Sequence, residues 1–87
     1  MSSKTTKQQL PKWFHGELYK EGAIVRNRFS GEEYKLNAVE LSMYDFIVGC
    51  QLVFEMRIYD HIMTGDFQKG LKWFRSNSPE AYMVLLD

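Results

Sequence analysis

Residues 37–63, NAVELSMYDFIVGCQLVFEMRIYDHIM, decide the fold. The stretch holds no proline and a single glycine, Gly49. It opens on Asn37, a residue whose side chain suits a helix N-cap, and Glu40 stands three positions later, the spacing of a capping box. This pattern predicts one helix from Ala38 to about Met63, roughly 38 Å long at 1.5 Å per residue. Around that helix Ser42, Asp45, Gly49 and Asp60 share a narrow polar sector. Met43, Phe46, Ile47, Cys50, Val53, Phe54, Ile58 and Ile62 cover the opposite arc, and Tyr44, Val48, Leu52 and Tyr59 make the flank apolar as well. A helix apolar over most of its circumference is buried on more than one side. Gly49 costs roughly 1 kcal/mol relative to alanine in a helix, and it reads either as a close helix approach or as a residue tolerated by tertiary burial.

The stretch before this helix reads as a β-hairpin. Ile24, Val25, Phe29, Tyr34 and Leu36 are strand formers, and Phe29-Ser30-Gly31-Glu32 supplies the turn. Two strands alone are not stable in water, so the hairpin must pack on the helix. Beyond the helix, Thr64-Gly65-Asp66 reads as a stop, with Gly65 at a left-handed C-terminal position and Asp66 capping the next helix. That second, short helix, from Phe67 to about Ser76, places Phe67, Leu71 and Phe74 on one stripe, with Lys69, Lys72 and Arg75 away from it. Ser78-Pro79-Glu80 opens a short terminal helix. The expected fold is therefore α+β: an N-terminal hairpin packed on one long helix, followed by two short helices.

With 87 residues the chain makes one domain. A hydrophobic share of 45% is enough for a real core. Residues 1–9 contain almost nothing to bury and are expected to be a flexible tail ahead of a domain at 10–87. One cysteine, Cys50, forms no internal disulfide, which favours a reducing compartment. The opening MSSKTTKQQLPK lacks the apolar run of a secretory signal or an anchor. No membrane partner and a cytoplasmic location are expected. Net charge is zero: residues 1–37 hold seven Lys/Arg against four Glu, and residues 38–87 hold four against seven Asp/Glu.

No catalytic set is readable, so the chain is expected not to be an enzyme and to use no metal and no cofactor. His15 stands beside Trp13 and Phe14 as a packing neighbour; His61, with Asp60 and Arg57, is a solvated charge cluster or, less simply, a small interfacial site. Cys50 lies in the most apolar arc of the long helix, where burial suppresses thiol reactivity. Two functional readings are open. In the first, one hairpin and two short helices are too little to cover both sides of the long helix, and Tyr44, Val48, Leu52 and Tyr59 form a self-association face. The product is a homo-oligomer, a dimer by default, with another protein as a further partner. In the second, nucleic acid binds the basic, aromatic N-terminal region through Lys12, Trp13, Arg26 and Arg28. Acidic neighbours and a near-neutral pI of 6.7 weaken the second.

The runs VRNRFSGEEYKLNAVELSMYDFIVG at 25–49 and GLKWFRSNSPEAYMVLLD at 70–87 resemble a group of small proteins from tailed phages of marine cyanobacteria and from marine metagenomes. The resemblance covers about half of the chain and implies a phage-encoded protein acting inside an infected bacterial cell. That group has no settled activity, so the likeness carries over no functional residues.

Overall fold

The computed structural model describes residues 8–27, 29–58 and 60–86. Two antiparallel strands, β1 (Ala23–Arg26) and β2 (Glu33–Leu36), are followed by three helices, α1 (Ala38–Glu55), α2 (His61–Asn77) and α3 (Pro79–Leu85). The fold is α+β, as the sequence pattern leads one to expect. In the hairpin Val25 pairs with Tyr34 and Ala23 with Leu36. The strand alternation turns Val25, Tyr34 and Leu36 toward the helices, whereas Ile24 and Lys35 face away. Asn27 closes the turn: its Oδ1 accepts from the backbone N–H groups of Phe29 (2.8 Å) and Ser30 (3.2 Å). Gly31 takes the left-handed φ of 80° that the tight return requires.

The single long helix expected from Ala38 to Met63 is two helices. α1 stops at Glu55, and α2 starts at His61 on an Asp60 cap whose Oδ1 accepts from Ile62 N–H (2.8 Å) and Met63 N–H (3.2 Å). Between them the chain makes a Schellman closure. Ile58 N–H donates to Val53 O (3.3 Å), Arg57 N–H donates to Phe54 O (2.8 Å), and Arg57 sits at φ 62°. Gly65, expected to end a helix, lies inside α2, and Asp66 is a buried interior residue rather than a cap. At 17 residues α2 is also far from short. Packing explains the break. Folding back lets α2 run antiparallel along α1, with the Phe54 and Phe67 rings edge to face at 5.2 Å and Gly70 drawn against Met43 and Ile47. A Cβ on Gly70 would lie 3.2 Å from the Met43 sulfur, so Gly70, and not Gly49, marks the close helix approach; around Gly49 there is open space.

The core is Leu36, Met43, Ile47, Phe74, Ala81 and Leu85, contributed by β2 and all three helices. The N-terminal segment seals one further flank of α1. Trp13 and Phe14 pack on Phe46 with ring centroids 5.8 Å and 5.6 Å away. Farther along, the backbone N–H of Tyr19 donates to Ser42 Oγ (3.0 Å). Ser42, in the polar sector of α1, thus anchors the segment that crosses it. Of the tail expected at residues 1–9, residues 1–7 lie outside the described ones, and Gln8 and Gln9 belong to the fold. Gln9 O accepts from Trp73 Nε1 (3.0 Å), and Gln8 bridges three segments through its amide. Hydrogen bonding holds these two polar residues where burial alone would not.

Candidate interaction surface

One face of α1 is covered by neither α2 nor the N-terminal segment. Tyr44, Val48, Gln51, Leu52 and Glu55 recur on it at helical spacing, and they floor a groove of about 240 Å³. The hairpin supplies one wall through Arg26, Asn27 and Phe29, and the end of α3 supplies the other through Leu85 and Leu86. A single side chain fixes the two walls: Asn27 Nδ2 donates to Val84 O (2.8 Å) while its Oδ1 holds the turn that carries Phe29. Phe29 is 87% exposed at the lip. Charges of both signs stand at the rim, Arg26 beside Glu33 (2.9 Å) on the hairpin and Glu55 on the helix.

The groove runs into an apolar end of the molecule. Leu52 (49% exposed), Met56 (65%), Ile58 (52%) and Ile62 (74%) succeed one another through the last turn of α1, the Schellman closure and the first turn of α2. Large apolar residues at this density on an exposed surface mark interaction sites more often than bare protein exterior. Of the self-association face read from the sequence, Tyr44, Val48 and Leu52 are brought together in the groove; Tyr59 lies outside the described residues. Tyr44 is partly buried, its ring 6.3 Å from Phe74. Continuing one helix through 56–62 places Ile58 and Ile62 inward and gives Met56 no role. The break at 56–60 turns all three outward.

The residues read as nucleic-acid contacts are not assembled. Trp13, and Lys12 with it, sits on the Phe46 side of α1, whereas Arg26 stands at the groove on the opposite side. The Trp13 ring is committed to Phe14 and Phe46, and the Arg26 guanidinium to Glu33. Arg28 lies outside the described residues.

Titratable groups are scattered. Cys50 is buried between α1 and α2, and its thiol is pushed above its ordinary range first by that burial and then by the negative charge of Asp66. Asp66 pairs with His15 (Nε2 to Oδ2, 3.4 Å), tying the N-terminal segment to α2. The Asp60 carboxylate is spent on the α2 cap. Among the described residues no group of three or more His, Cys, Asp or Glu side chains converges in a metal-holding arrangement. No helix of the described residues is long and apolar enough to cross a membrane. No protein-family model matches the chain, and neither a curated protein nor a solved structure is significantly similar to it.

Proposed function

We propose that the chain is a protein-interaction module that associates with itself through the exposed face and end of α1, without catalytic activity of its own. The observation that carries this reading is the run of exposed Leu52, Met56, Ile58 and Ile62 continuous in sequence with the groove floor of Tyr44, Val48 and Leu52. Removing such side chains from water is worth roughly 25 cal/mol per Å² before association costs, and a second copy is the default supplier of a complementary surface. A net charge of zero leaves no long-range repulsion between copies. That this module serves as an accessory protein of a phage, binding a host or phage protein in the cytoplasm of an infected cell, is carried by the sequence resemblance alone.

Sedimentation equilibrium at micromolar concentration tests the self-association. The expected wild-type mass is a multiple of the 10.3 kDa chain, and a Val48→Glu/Leu52→Glu double variant falls to 10.3 kDa with its helical circular dichroism retained. A wild-type chain already at 10.3 kDa would remove the reading.

A further inference from the structure

We infer that residues 8–22 form a strap that opens as one unit, lifting off α1 and α2 while the hairpin and the three helices stay folded. The segment has no helix or strand, and none of its residues is buried. The core of Leu36, Met43, Ile47, Phe74, Ala81 and Leu85 takes nothing from it; Leu10, Trp13 and Phe14 rest on the outside of that core. Among the described residues the only backbone-to-backbone hydrogen bond that the segment makes is internal, Phe14 N–H to Pro11 O (3.0 Å). Every hydrogen bond from it to the body has a side chain at one end or both. Segments with few buried apolar contacts and no backbone ladder open at a lower free energy than the core does.

The surface that the strap leaves behind is fit to meet water. Ser42 Oγ accepts from Tyr19 N–H (3.0 Å) and also donates to Ala38 O (2.8 Å), so its hydroxyl stays bonded when Tyr19 leaves. Glu40 loses Gln8 and keeps the Asn37 N–H and the Ser78 hydroxyl. The Asp66 carboxylate gives up His15 (3.4 Å), the Trp73 indole N–H gives up Gln9 O (3.0 Å), and both pass to water. None of these polar groups is stranded, the outcome that would make such an opening costly. The strap is held shut by Trp13 and Phe14 against Phe46, at 5.8 Å and 5.6 Å. Gly22 fixes the end at which it joins β1, with its backbone close against Leu36 O and Asn37 Cα. Opening bares Phe46 and Asp66 on the side of α1 opposite the groove. One face of the helix is thus uncovered in the closed molecule, and a second is gated by the strap.

Native-state hydrogen exchange read by NMR tests the unit. Two protons report on it from either side of Trp13 and Phe14: Trp73 Nε1–H, bonded to Gln9 O, and Tyr19 N–H, bonded to Ser42 Oγ. After correction for intrinsic rates the two should show the same protection, about tenfold or more below that of the Ile47 and Phe74 amides. Their protection should fall only shallowly with urea, because this opening exposes little surface, whereas that of the core amides falls steeply. Ile47→Val, at a fully buried core position, should lower the protection of the body amides by roughly two- to tenfold. Both strap protons should stay unchanged in it, since the closed and strap-open molecules carry the same altered core. Strap protons that track the Ile47 amide in urea and the Phe74 amide in the variant would overturn the inference, by showing that the strap parts only on global unfolding. Unequal protection of the two strap protons would also overturn it, by showing separate fluctuations in place of one opening. The urea dependence decides the question in the unaltered chain whatever the variant does.

Discussion

The two ends of α1 are built by opposite rules. At the first turn both capping side chains are hydrogen-bonded. Asn37 Oδ1 accepts from Glu40 N–H (2.8 Å), and Glu40 Oε1 accepts from Asn37 N–H (2.9 Å). The other carboxylate oxygen, Oε2, accepts from Ser78 Oγ and from Gln8 Nε2 (3.2 Å). Gln8 in turn donates to Asn77 O (3.0 Å) and accepts from Asn37 Nδ2 (2.9 Å). Three segments distant in sequence are tied at one carboxylate: the N-terminal segment, the start of α1 with its Asn37 cap, and the α2 to α3 junction. At the last turn a Schellman closure is made with arginine in the left-handed position that glycine fills most easily, and the surrounding side chains are apolar and exposed. The first end is organised for stability. The second tolerates strain and unburied apolar surface, a combination found where a surface is kept for contact.

The sharpest way to break this comparison is to change one residue at each end. Glu40→Ala removes the reciprocal half of the capping box, worth about 1 kcal/mol, and leaves the buried Ser78 hydroxyl without its acceptor, worth about 1 to 3 more. A loss of about 3 kcal/mol is expected, which in a domain of this size lowers the thermal midpoint by more than about 10 °C. Ile62→Glu at the far end should leave the stability of the folded chain within about 0.5 kcal/mol, because its side chain stands mostly in water. Thermal melts at the lowest concentration that gives signal, where association contributes least, compare the two. Equal losses would erase the distinction.

Gly22 extends the tight end into the hairpin. A Cβ built there would lie 2.0 Å from the Leu36 carbonyl oxygen and 2.8 Å from Asn37 Cα, both of them backbone atoms that no rotamer change can move aside. Gly22→Ala must therefore push the start of β1 away from the β2 to α1 junction, at about 2 kcal/mol by analogy with overpacked cores. Chemical denaturation measures it. A neutral result would mean that the junction is slack.

How much of the fold is legible in the sequence depends on the range of the forces involved. The capping box at Asn37 and Glu40, the hairpin turn at Phe29 to Glu32 and the Pro79 helix start are set by residues within a few positions of one another, and reading along the chain finds them. The break after Glu55 cannot be found that way. Arg57, the left-handed residue just after the cap, carries no stop signal, and the gain that offsets its backbone comes from Phe54 meeting Phe67 and from Gly70 meeting Met43, contacts that exist only after the chain folds back. One signal is available: Asp60, three positions before Met63, is as good an N-cap as Asn37. Burial of α1 on several sides is legible from its circumference, but the cover over Phe46 comes from Trp13 and Phe14, ahead of the hairpin, where the pattern assigns it to the hairpin and the C-terminal helices. Of the face proposed for self-association, Tyr44, Val48 and Leu52 line the groove, and Tyr59 lies outside the described residues.

Arginine at 57 and glycine at 65 offer a smaller test of the same contrast, since each residue type stands where the other kind of backbone is needed. Arg57→Gly relieves a left-handed side-chain penalty of about 1 kcal/mol. Gly65→Ala, in helical backbone with open space around its Cα, recovers about 0.5 to 1 kcal/mol of helix propensity. Both should raise the thermal midpoint, and the pair should add, because they act at separate backbone positions. If Arg57→Gly destabilises, the arginine side chain is making a contact at the apolar end that offsets its strain.

The smallest expected effect is a slope with pH, and it probes the α1 to α2 seam midway between the two ends. Burial, and then the charge of Asp66, raise the Cys50 thiol above its ordinary value of 9.0. For an acid whose folded pKa is raised, the folded chain keeps a proton that the unfolded chain gives up. The associated stability is therefore fully present below about pH 9 and is lost as pH climbs from there through the folded value. Tyr34 and Tyr19 are shifted the same way from 10.0, so their losses begin about one unit higher and are common to wild type and variant. Urea midpoints tracked from neutral pH to just above pH 9 should fall for the wild type. In Cys50→Ala they should start lower, from the lost packing, and then stay nearly level over that interval. Parallel slopes would mean that the thiol meets water in the folded state, and hence that the seam Met43, Ile47 and Gly70 close at one level is open at the next.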